Sequence, residues 1–332
     1  MRWGLVGAST IASEYVIGAI RARADEIAGV MSGDAARGAD YAARHAIPAS
    51  TTDLDALLGL PGVEAVYIST TNEKHHAQAL AAIAAGKHVL CEKPLAMTTA
   101  EAAEMVRAAE RAGVTFATNH HLRNAGSHGA IRDLIAGGRI GRVLSVRVFH
   151  AVHLPPHLQG WRINDAGAGG GVIPDITVHD ADTVRFYLGE DPVEVVAMAG
   201  ASGMGAGVED SVMSVWSTPS GAMVQTHESF THPFAGSGVE VHGTEGSIFG
   251  RGIMTQKPVG EVELVNASGR HAVAFDRHDL YGRAIEAFAA AVAGQGAPAA
   301  DGVDGVKSLA VAMAVRDAAR TGRATRVDYE GF

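Results

Sequence analysis

Two patterns alternate along the first 120 residues, and this alternation restricts the fold more than any other feature of the chain. Short apolar runs bounded by turn residues lie at 3–8, 27–32, 63–70, 88–93 and 114–119. Alanine-rich segments with helical spacing lie at 10–24, 35–45, 53–59, 73–86 and 98–112. Short apolar runs are typical of buried strands, so the order predicts a doubly wound parallel sheet with helices on both faces, the Rossmann arrangement.

The pattern changes after residue 121. Alternating apolar runs follow at 142–154, 193–200, 210–218, 222–230, 238–244, 246–250 and 260–266. Helices are predicted at 127–136, 179–188, 281–293 and 302–321. Alternation with turn residues between the runs indicates neighbouring antiparallel strands. We therefore expect a dinucleotide-binding Rossmann domain over 1–121 and a substrate-binding α+β domain with a large, mostly antiparallel sheet over 122–332. The C-terminal helix is the segment that could return to the first domain.

Charge and cysteine content narrow the class of protein. The net charge of -9 argues against nucleic acid as a partner, because affinity for nucleic acid comes mainly from neutralising phosphates. The single cysteine excludes an internal disulfide, which fits a reducing compartment. No apolar run reaches the length of a membrane span. We expect a soluble cytoplasmic protein that acts on a small molecule, without nucleic acid or membrane as partner.

The segment GLVGASTIA, which follows the first strand, resembles the dinucleotide fingerprint G-x-G-x-x-G/A. Gly7 and Ala12 take the first and third positions, whereas Ser9 stands where the second glycine is expected. The second predicted strand ends at Ser32, and Arg37 follows on the next helix. A small hydroxyl with a nearby guanidinium suits a 2′-phosphate, so we expect NADP(H) rather than NAD(H).

Polar residues also follow the next two predicted strands. Thr70, Thr71 and Asn72 lie at the carboxyl edge of the sheet, where ligands bind in such folds, although Asn72 also suits the N-cap of the following helix. His76 is either a cofactor contact or a surface residue. Lys93 ends the strand at 88–93, where a buried cation is costly unless it has a use.

The second domain contributes a carboxylate and an imidazole. Asp175 and His179 share a face if they lie on one helix, and histidine suits proton transfer near neutral pH. The alternative is an N-capping aspartate and a core histidine. His150, His153 and His157 match no standard zinc spacing, so we expect no metal site.

Together, the fingerprint, the Glu-Lys-Pro at 92–94 and the Asp-x-x-x-His motif at 175–179 resemble the Gfo/Idh/MocA family of sugar oxidoreductases along essentially the whole chain. The resemblance implies hydride transfer between a nicotinamide cofactor and a keto-sugar. It implies a catalytic group of Lys93, Asp175 and His179. It also implies cofactor contacts from Gly7, Ser9, Thr10, Ile11, Ala12, Ser32, Gly33, Arg37, Thr70, Thr71, Asn72, His75, His76, Glu92, Lys93, Asn119, Trp161, Arg162 and Tyr281.

Two other functions stay open at this point. One is a related polyol or inositol-like dehydrogenase that works with NAD, although the second strand lacks the usual acid at position 32. The other is a non-catalytic sugar or nucleotide sensor, because a fold does not fix a function. A sensor has no need to keep Lys93, Asp175 and His179 together. The sequence does not choose between a monomer and a homo-oligomer.

Overall fold

The chain forms two compact units in this computed structural model, which describes residues 1–332. The first unit consists of residues 1–120 and 281–306, and the second consists of residues 121–280 and 307–332. The first division of the chain falls after residue 120. The later segment, 281–306, belongs to the first unit and separates the two parts of the second unit along the chain.

The first unit contains a six-stranded sheet in the order β3-β2-β1-β4-β5-β6. Its strands are β1 (Arg2–Val6), β2 (Glu26–Met31), β3 (Ser50–Thr51), β4 (Ala65–Ile68), β5 (His88–Cys91) and β6 (Phe116–Thr118). All neighbouring pairs are parallel. Trp3, Leu5 and Ile68 are fully buried, as expected for a sheet covered on both faces. The predicted Rossmann arrangement is therefore confirmed.

Helices connect these strands. After a π-helical turn at Ala12–Val16 come α1 (Ile17–Ala22), α2 (Ala35–Arg44), α3 (Leu54–Leu58), α4 (Asn72–Ala84) and α5 (Thr99–Ala112). Thr98 and Glu101 form a reciprocal capping box at the start of α5. The prediction of Asn72 as an N-cap was wrong by one residue, because Thr71 occupies that position and Asn72 begins α4.

The second unit contains a nine-stranded sheet in the order β14-β13-β12-β11-β7-β10-β9-β8-β15. Its strands are β7 (Val143–Ala151), β8 (Glu194–Gly200), β9 (Ser211–Ser217), β10 (Met223–Ser229), β11 (Gly238–Gly243), β12 (Gly246–Arg251), β13 (Glu261–Asn266), β14 (Gly269–Ala272) and β15 (Thr325–Arg326). Only β7 and β10 pair in parallel. The prediction of a mixed, mostly antiparallel sheet is confirmed.

The helices of the second unit include α6 (Gly126–Ala136), α7 (Pro156–Gln159) and α8 (Val178–Leu188). A π-helical turn, Ile173–Thr177, precedes α8 directly, so the helical segment begins before the predicted residue 179. Two further helices, α9 (Leu280–Val292) and α10 (Gly302–Thr321), close the chain. No helix combines the length and apolar character that crossing a membrane requires.

The capping box at α5 gives a test of the fold. Replacing Thr98 by alanine removes the side-chain acceptor for the backbone N–H of Glu101, so we expect a loss of about 1 kcal/mol in the free energy of unfolding. Urea denaturation measures this loss. The neighbouring Thr99→Ala change removes a hydroxyl without removing the cap and should cost less than about 0.5 kcal/mol. Equal losses in both variants would contradict the assignment of the cap.

Candidate active site

The loop after β1 requires a glycine at its first position. Gly7 has φ +113°, and a Cβ there would lie 3.0 Å from both the carbonyl carbon and the oxygen of Ser69. The loop backbone therefore passes close to the end of β4. A helical segment begins directly after this loop, and the N–H groups of a helix start attract anions. The cradle fits the pyrophosphate of a dinucleotide.

Ser9 uses its hydroxyl within this loop. Its Oγ accepts from the backbone N–H of Ala12 at 3.2 Å and lies 2.7 Å from the Oγ of Ser69. The Tyr41 hydroxyl donates to the Ser9 carbonyl at 2.9 Å. Ser9 thus acts as a helix cap at the position where the general fingerprint has glycine.

Arg37 extends back to the same loop. Its Nη2 donates to the carbonyl oxygen of Ala8 at 2.6 Å, while its backbone N–H donates to Asp34 at 2.7 Å. Asp34 is therefore the N-cap of α2. Ser32 is buried at the end of β2, and a Cβ at the neighbouring Gly33 would meet nothing within 4 Å. The guanidinium of Arg37 thus lies beside the fingerprint loop. The backbone at Gly33 is open to a ligand, because no atom lies near the Cβ position there.

His75 connects the loops that follow β4 and β5. It is buried, with Nδ1 2.8 Å from the carbonyl oxygen of Pro94 and Nε2 3.2 Å from that of Thr70. Burial lowers the pKa of His75, so the neutral ring has one N–H to donate. The shorter distance assigns that proton to the Pro94 bond. His75 therefore anchors the segment that carries Lys93, which is half-buried and joined to Pro94 by a cis peptide bond.

Glu92 is held at the ends of three strands. The hydroxyl of Tyr67 and the Nδ2 of Asn119 donate to its Oε1 at 2.5 and 2.6 Å. Burial is the largest influence on the carboxyl group and raises its pKa, although these two donors and the charge of Lys93 oppose the rise. Tyr67, Glu92 and Asn119 therefore form one hydrogen-bonded cluster at the carboxyl edge of the sheet.

Other predicted contacts of the first unit have local partners. Thr70 donates to Gln78 at 2.6 Å, and Thr71 donates to Glu73 at 2.7 Å. His76 lies 2.9 Å from a carboxylate oxygen of Glu104 on α5, the surface arrangement considered above as its alternative role. The fully buried ring of Tyr281 stacks on Tyr15 at a centroid distance of 4.7 Å.

In the second unit, glycines allow the chain to approach itself before α8. A Cβ at Gly170 would lie 2.5 Å from the carbonyl oxygen of Trp161. Gly171 has φ +115°, and a Cβ there would lie 2.4 Å from Oε1 of Glu209. That same oxygen accepts from the backbone N–H of Ile173 at 3.2 Å. These contacts fix where the helical segment begins.

Asp175 and His179 lie on one continuous helical segment, as the motif predicted, and both are buried. Nε of Arg162 lies 3.5 Å from Oδ2 of Asp175, and the guanidinium stacks over the ring of Trp161 at 4.6 Å. Arg162 therefore links the Asp175 carboxylate to the ring of Trp161. The second unit thus contributes a carboxylate, an imidazole, a guanidinium and an indole ring to the candidate site.

Two histidines beside this motif were not selected as site residues from the sequence. The ring of His121 contacts that of His179 edge-on at 5.0 Å, and the ring of His150 lies 6.3 Å from it. His150 was considered in the sequence as a metal ligand, and the segment NHH contains His121 without a spacing signal. No group of three or more His, Cys, Asp or Glu side chains is arranged to hold a metal ion.

Proteins named as oxidoreductases resemble this chain in sequence and in fold. A 1,5-anhydro-D-fructose reductase from Ensifer adhaerens is 59% identical over 328 residues, which span 98% of each chain. A D-xylose 1-dehydrogenase (NADP(+)) from Haloferax volcanii is 31% identical over 99% of this chain and 100% of the relative. The crystal structure of an aldose-aldose oxidoreductase from Caulobacter crescentus has a TM-score of 0.90 at 24% identity, covering 98% of this chain and 99% of that one. This likeness shows a shared fold.

Both units also match family descriptions. Residues 1–120 match the oxidoreductase family with an NAD-binding Rossmann fold, and residues 128–249 match the GFO/IDH/MocA C-terminal domain. The first unit is thus a nicotinamide-dinucleotide-binding domain. With a near full-length relative at 59% identity, the chain belongs to the Gfo/Idh/MocA family of oxidoreductases.

Proposed function

We propose that the protein reduces the C2 ketone of 1,5-anhydro-D-fructose to 1,5-anhydro-D-mannitol with NADPH, a reaction of carbohydrate metabolism. The observation that carries this proposal is the 59% identity over 98% of the chain to a protein of that name. The first unit binds the dinucleotide and the second binds the sugar. A cytoplasmic location fits the single, buried cysteine.

The nicotinamide group, when bound, supplies hydride to the ketone carbon. Gly7, Ser9 and the helix that follows hold the pyrophosphate, which the positive φ of Gly7 and the cap by Ser9 support. Further contacts come from Thr10, Ile11, Ala12, Thr70, Thr71, Asn72, His75, His76, Glu92, Lys93, Asn119, Trp161, Arg162 and Tyr281.

The preference for NADPH depends on Ser32, Gly33 and Arg37. The guanidinium of Arg37 already lies at the fingerprint loop, and it binds a 2′-phosphate through its planar fork. No carboxylate occupies position 32, where an NAD enzyme usually has an acid for the ribose hydroxyl. An additional phosphate thus meets the guanidinium of Arg37, while the nearby carboxylate of Asp34 caps α2.

Lys93, His179 and Asp175 perform the chemistry. Reduction leaves negative charge on the substrate oxygen, and a cation in hydrogen-bonding range stabilises it, which is the role of Lys93. His179 supplies the proton as general acid. Asp175, held by Arg162, binds substrate hydroxyls or orients His179. In the competing assignment, Lys93 donates the proton and His179 stabilises the negative charge on the substrate oxygen.

Turnover with a panel of sugars tests the proposed function. NADPH oxidation should be fastest with 1,5-anhydro-D-fructose and at least about 10-fold slower with other keto-sugars and aldoses, because a site built to hydrogen-bond one substrate disfavours others. NADH should support less turnover than NADPH. Faster NAD-dependent oxidation of a polyol would favour the related dehydrogenase instead. Cofactor binding without turnover of any sugar would favour the sensor.

Arg37→Ala should raise the KM for NADPH by about 10–100-fold, because a hydrogen bond to a charged group contributes about 1.5–3 kcal/mol. The KM for NADH should change by less than about 3-fold, since NADH lacks the 2′-phosphate. Arg44→Ala on the same helix removes an exposed guanidinium paired with Asp40 and serves as the control. Equal effects on the two cofactors would contradict the role of Arg37.

Lys93→Ala and His179→Ala should each lower kcat by about 10²–10⁴-fold, the range that proton transfer and oxyanion stabilisation usually supply. NADPH binding, measured by fluorescence titration, should survive in both variants: its affinity should change by less than about 3-fold in His179→Ala and by no more than about 10-fold in Lys93→Ala, since Lys93 is also a proposed cofactor contact. Lys74→Ala, which removes an exposed amine near Glu73, is the control and should leave kcat unchanged. Near wild-type turnover in both active-site variants would rule out this mechanism.

A further inference from the structure

A completely buried carboxylate, that of Asp210, lies directly before β9 in the second unit, with 0% exposed surface. Its Oδ1 accepts from the backbone N–H and the hydroxyl of Ser202 at 2.6 and 2.7 Å. Its Oδ2 accepts at 3.1, 2.7 and 2.8 Å from three consecutive backbone N–H groups, those of Gly203, Met204 and Gly205. Five neutral donors thus provide the compensation that a buried carboxylate needs.

The five donors belong to one segment, the Asp210 loop, which consists of residues 201–209. Burial by itself would raise the pKa of the Asp210 carboxyl, but the bonds from Gly205, Ser202 and Met204 outweigh it and lower the pKa to about 2. The loop is also tightly folded, because a Cβ at Gly205 would lie 2.3 Å from the carbonyl oxygen of Val208. The charge of Asp210 therefore holds the loop in one shape.

The Asp210 loop is bonded to the segment 161–173 at two separated points. The backbone N–H of Ala206 donates to the carbonyl oxygen of Ile163 at 2.7 Å. Further along, the backbone carbonyl of Glu209 accepts from the N–H of Val172 at 3.0 Å, in addition to the bond that its side chain accepts from Ile173. The loop therefore fixes both ends of this segment.

The segment that is held in this way carries Arg162 and leads into the turn with Asp175. The backbone N–H of Gly171 donates to the carbonyl oxygen of Arg162 at 2.8 Å, so the two ends of the segment are drawn together. The side chain of Arg162 is 28% exposed where it meets Asp175, and a partly exposed ion pair contributes little free energy by itself. The backbone is therefore what brings the guanidinium to the carboxylate.

We propose that Asp210 is a positioning residue of the sugar site: through its loop it holds the segment 161–173 so that Arg162 meets Asp175. Asp210 binds neither substrate nor cofactor, and it acts through Arg162. Its effect on turnover rests on the proposed function, whereas its effect on the segment does not.

Hydrogen exchange measured by NMR on the full chain, without cofactor or sugar, tests the effect on the segment. In Asp210→Asn the amide offers one acceptor oxygen instead of two, so at least one backbone N–H of the loop loses its acceptor. The amides of Gly171 and Val172 should then exchange at least about 10-fold faster, while amides within β9 and β10 change by less than about 3-fold. Unchanged exchange at Gly171 and Val172 would overturn the proposal.

The control for this substitution is Asp328→Asn. Asp328 is exposed and accepts a single backbone N–H, that of Glu330 at 3.0 Å. Its replacement removes one carboxylate from the same unit without touching the Asp210 loop. Exchange at Gly171 and Val172 should stay within about 2-fold of wild type, and an acceleration equal to that in Asp210→Asn would contradict a specific role for Asp210.

A double-mutant cycle tests the route through Arg162. Asp210→Asn should lower kcat/KM for the sugar by about 10–100-fold in the wild-type chain, because small displacements of substrate-binding groups are costly. In an Arg162→Ala background the same change should cost less than about 3-fold. Equal losses in both backgrounds would overturn that route. A wild-type chain that turns over no sugar would refute the proposed function, and the exchange result would still decide the effect on the segment.

Two measurements keep the proposal falsifiable if Asp210→Asn does not fold. In the wild-type chain, the amides of Met204 and Gly205 should exchange at least about 100-fold more slowly than that of the exposed Gly207, which has no hydrogen bond. Equal exchange at these positions would overturn the proposal. Ser202→Ala removes one donor and leaves the charge, and it should accelerate exchange at Gly171 and Val172 by about 2–5-fold; no acceleration would overturn it as well.

Discussion

The cost of burying charge organises the second unit. Helix α8 carries Asp180 and Asp182 in the interior, and each needs a partner because an isolated buried carboxylate is strongly destabilised. Arg123 meets Asp182 with two nitrogens at 2.7–3.0 Å, and His150 meets Asp180. These pairings fix how α8 lies against its neighbours. They therefore also fix the position of His179, which lies between the two aspartates and Asp175 in the chain.

The first unit meets a different constraint, the close approach of backbone segments at the carboxyl edge of its sheet. Gly7 permits contact with the end of β4, and His75 links the end of β4 to the segment after β5. Glu92 joins three strand ends through Tyr67 and Asn119. Lys93 is thus mounted on a rigid segment, which is what an electrostatic role in catalysis needs because the charge must be in place before the reaction begins.

Much of this arrangement follows from sequence pattern. Strand and helix periods predicted both sheets. The fingerprint predicted the loop after β1, and the Asp-x-x-x-His motif predicted that Asp175 and His179 share one helical segment, which runs from the π-helical turn into α8. The short strands β3, β14 and β15 were missed because none of them forms an apolar run. The early start of the helix before α8 was missed because Pro174 and the glycines suggest an irregular stretch, although proline is favoured in a first helical turn.

The remaining relationships depend on tertiary contacts that no local pattern encodes. Glu228 lies on a strand far along the chain from His150, and only the parallel pairing of β7 and β10 makes them neighbours. The assignment of residues 281–306 to the first unit also depends on tertiary contacts and not on a local pattern. The positions of Ser32 directly after β2 and of Arg37 on α2, in contrast, followed from the strand–helix pattern, and the 2′-phosphate preference inferred from them stays a prediction.

The central claim is that hydride passes from NADPH to C2 of 1,5-anhydro-D-fructose, and deuterium transfer tests it most directly. With NADPH carrying deuterium at the transferred position of the nicotinamide and 1,5-anhydro-D-fructose as substrate, the account predicts 1,5-anhydro-D-mannitol with one deuterium at C2, detected by NMR and mass spectrometry. A product without deuterium at C2, or a product with the opposite configuration at that carbon, would contradict it.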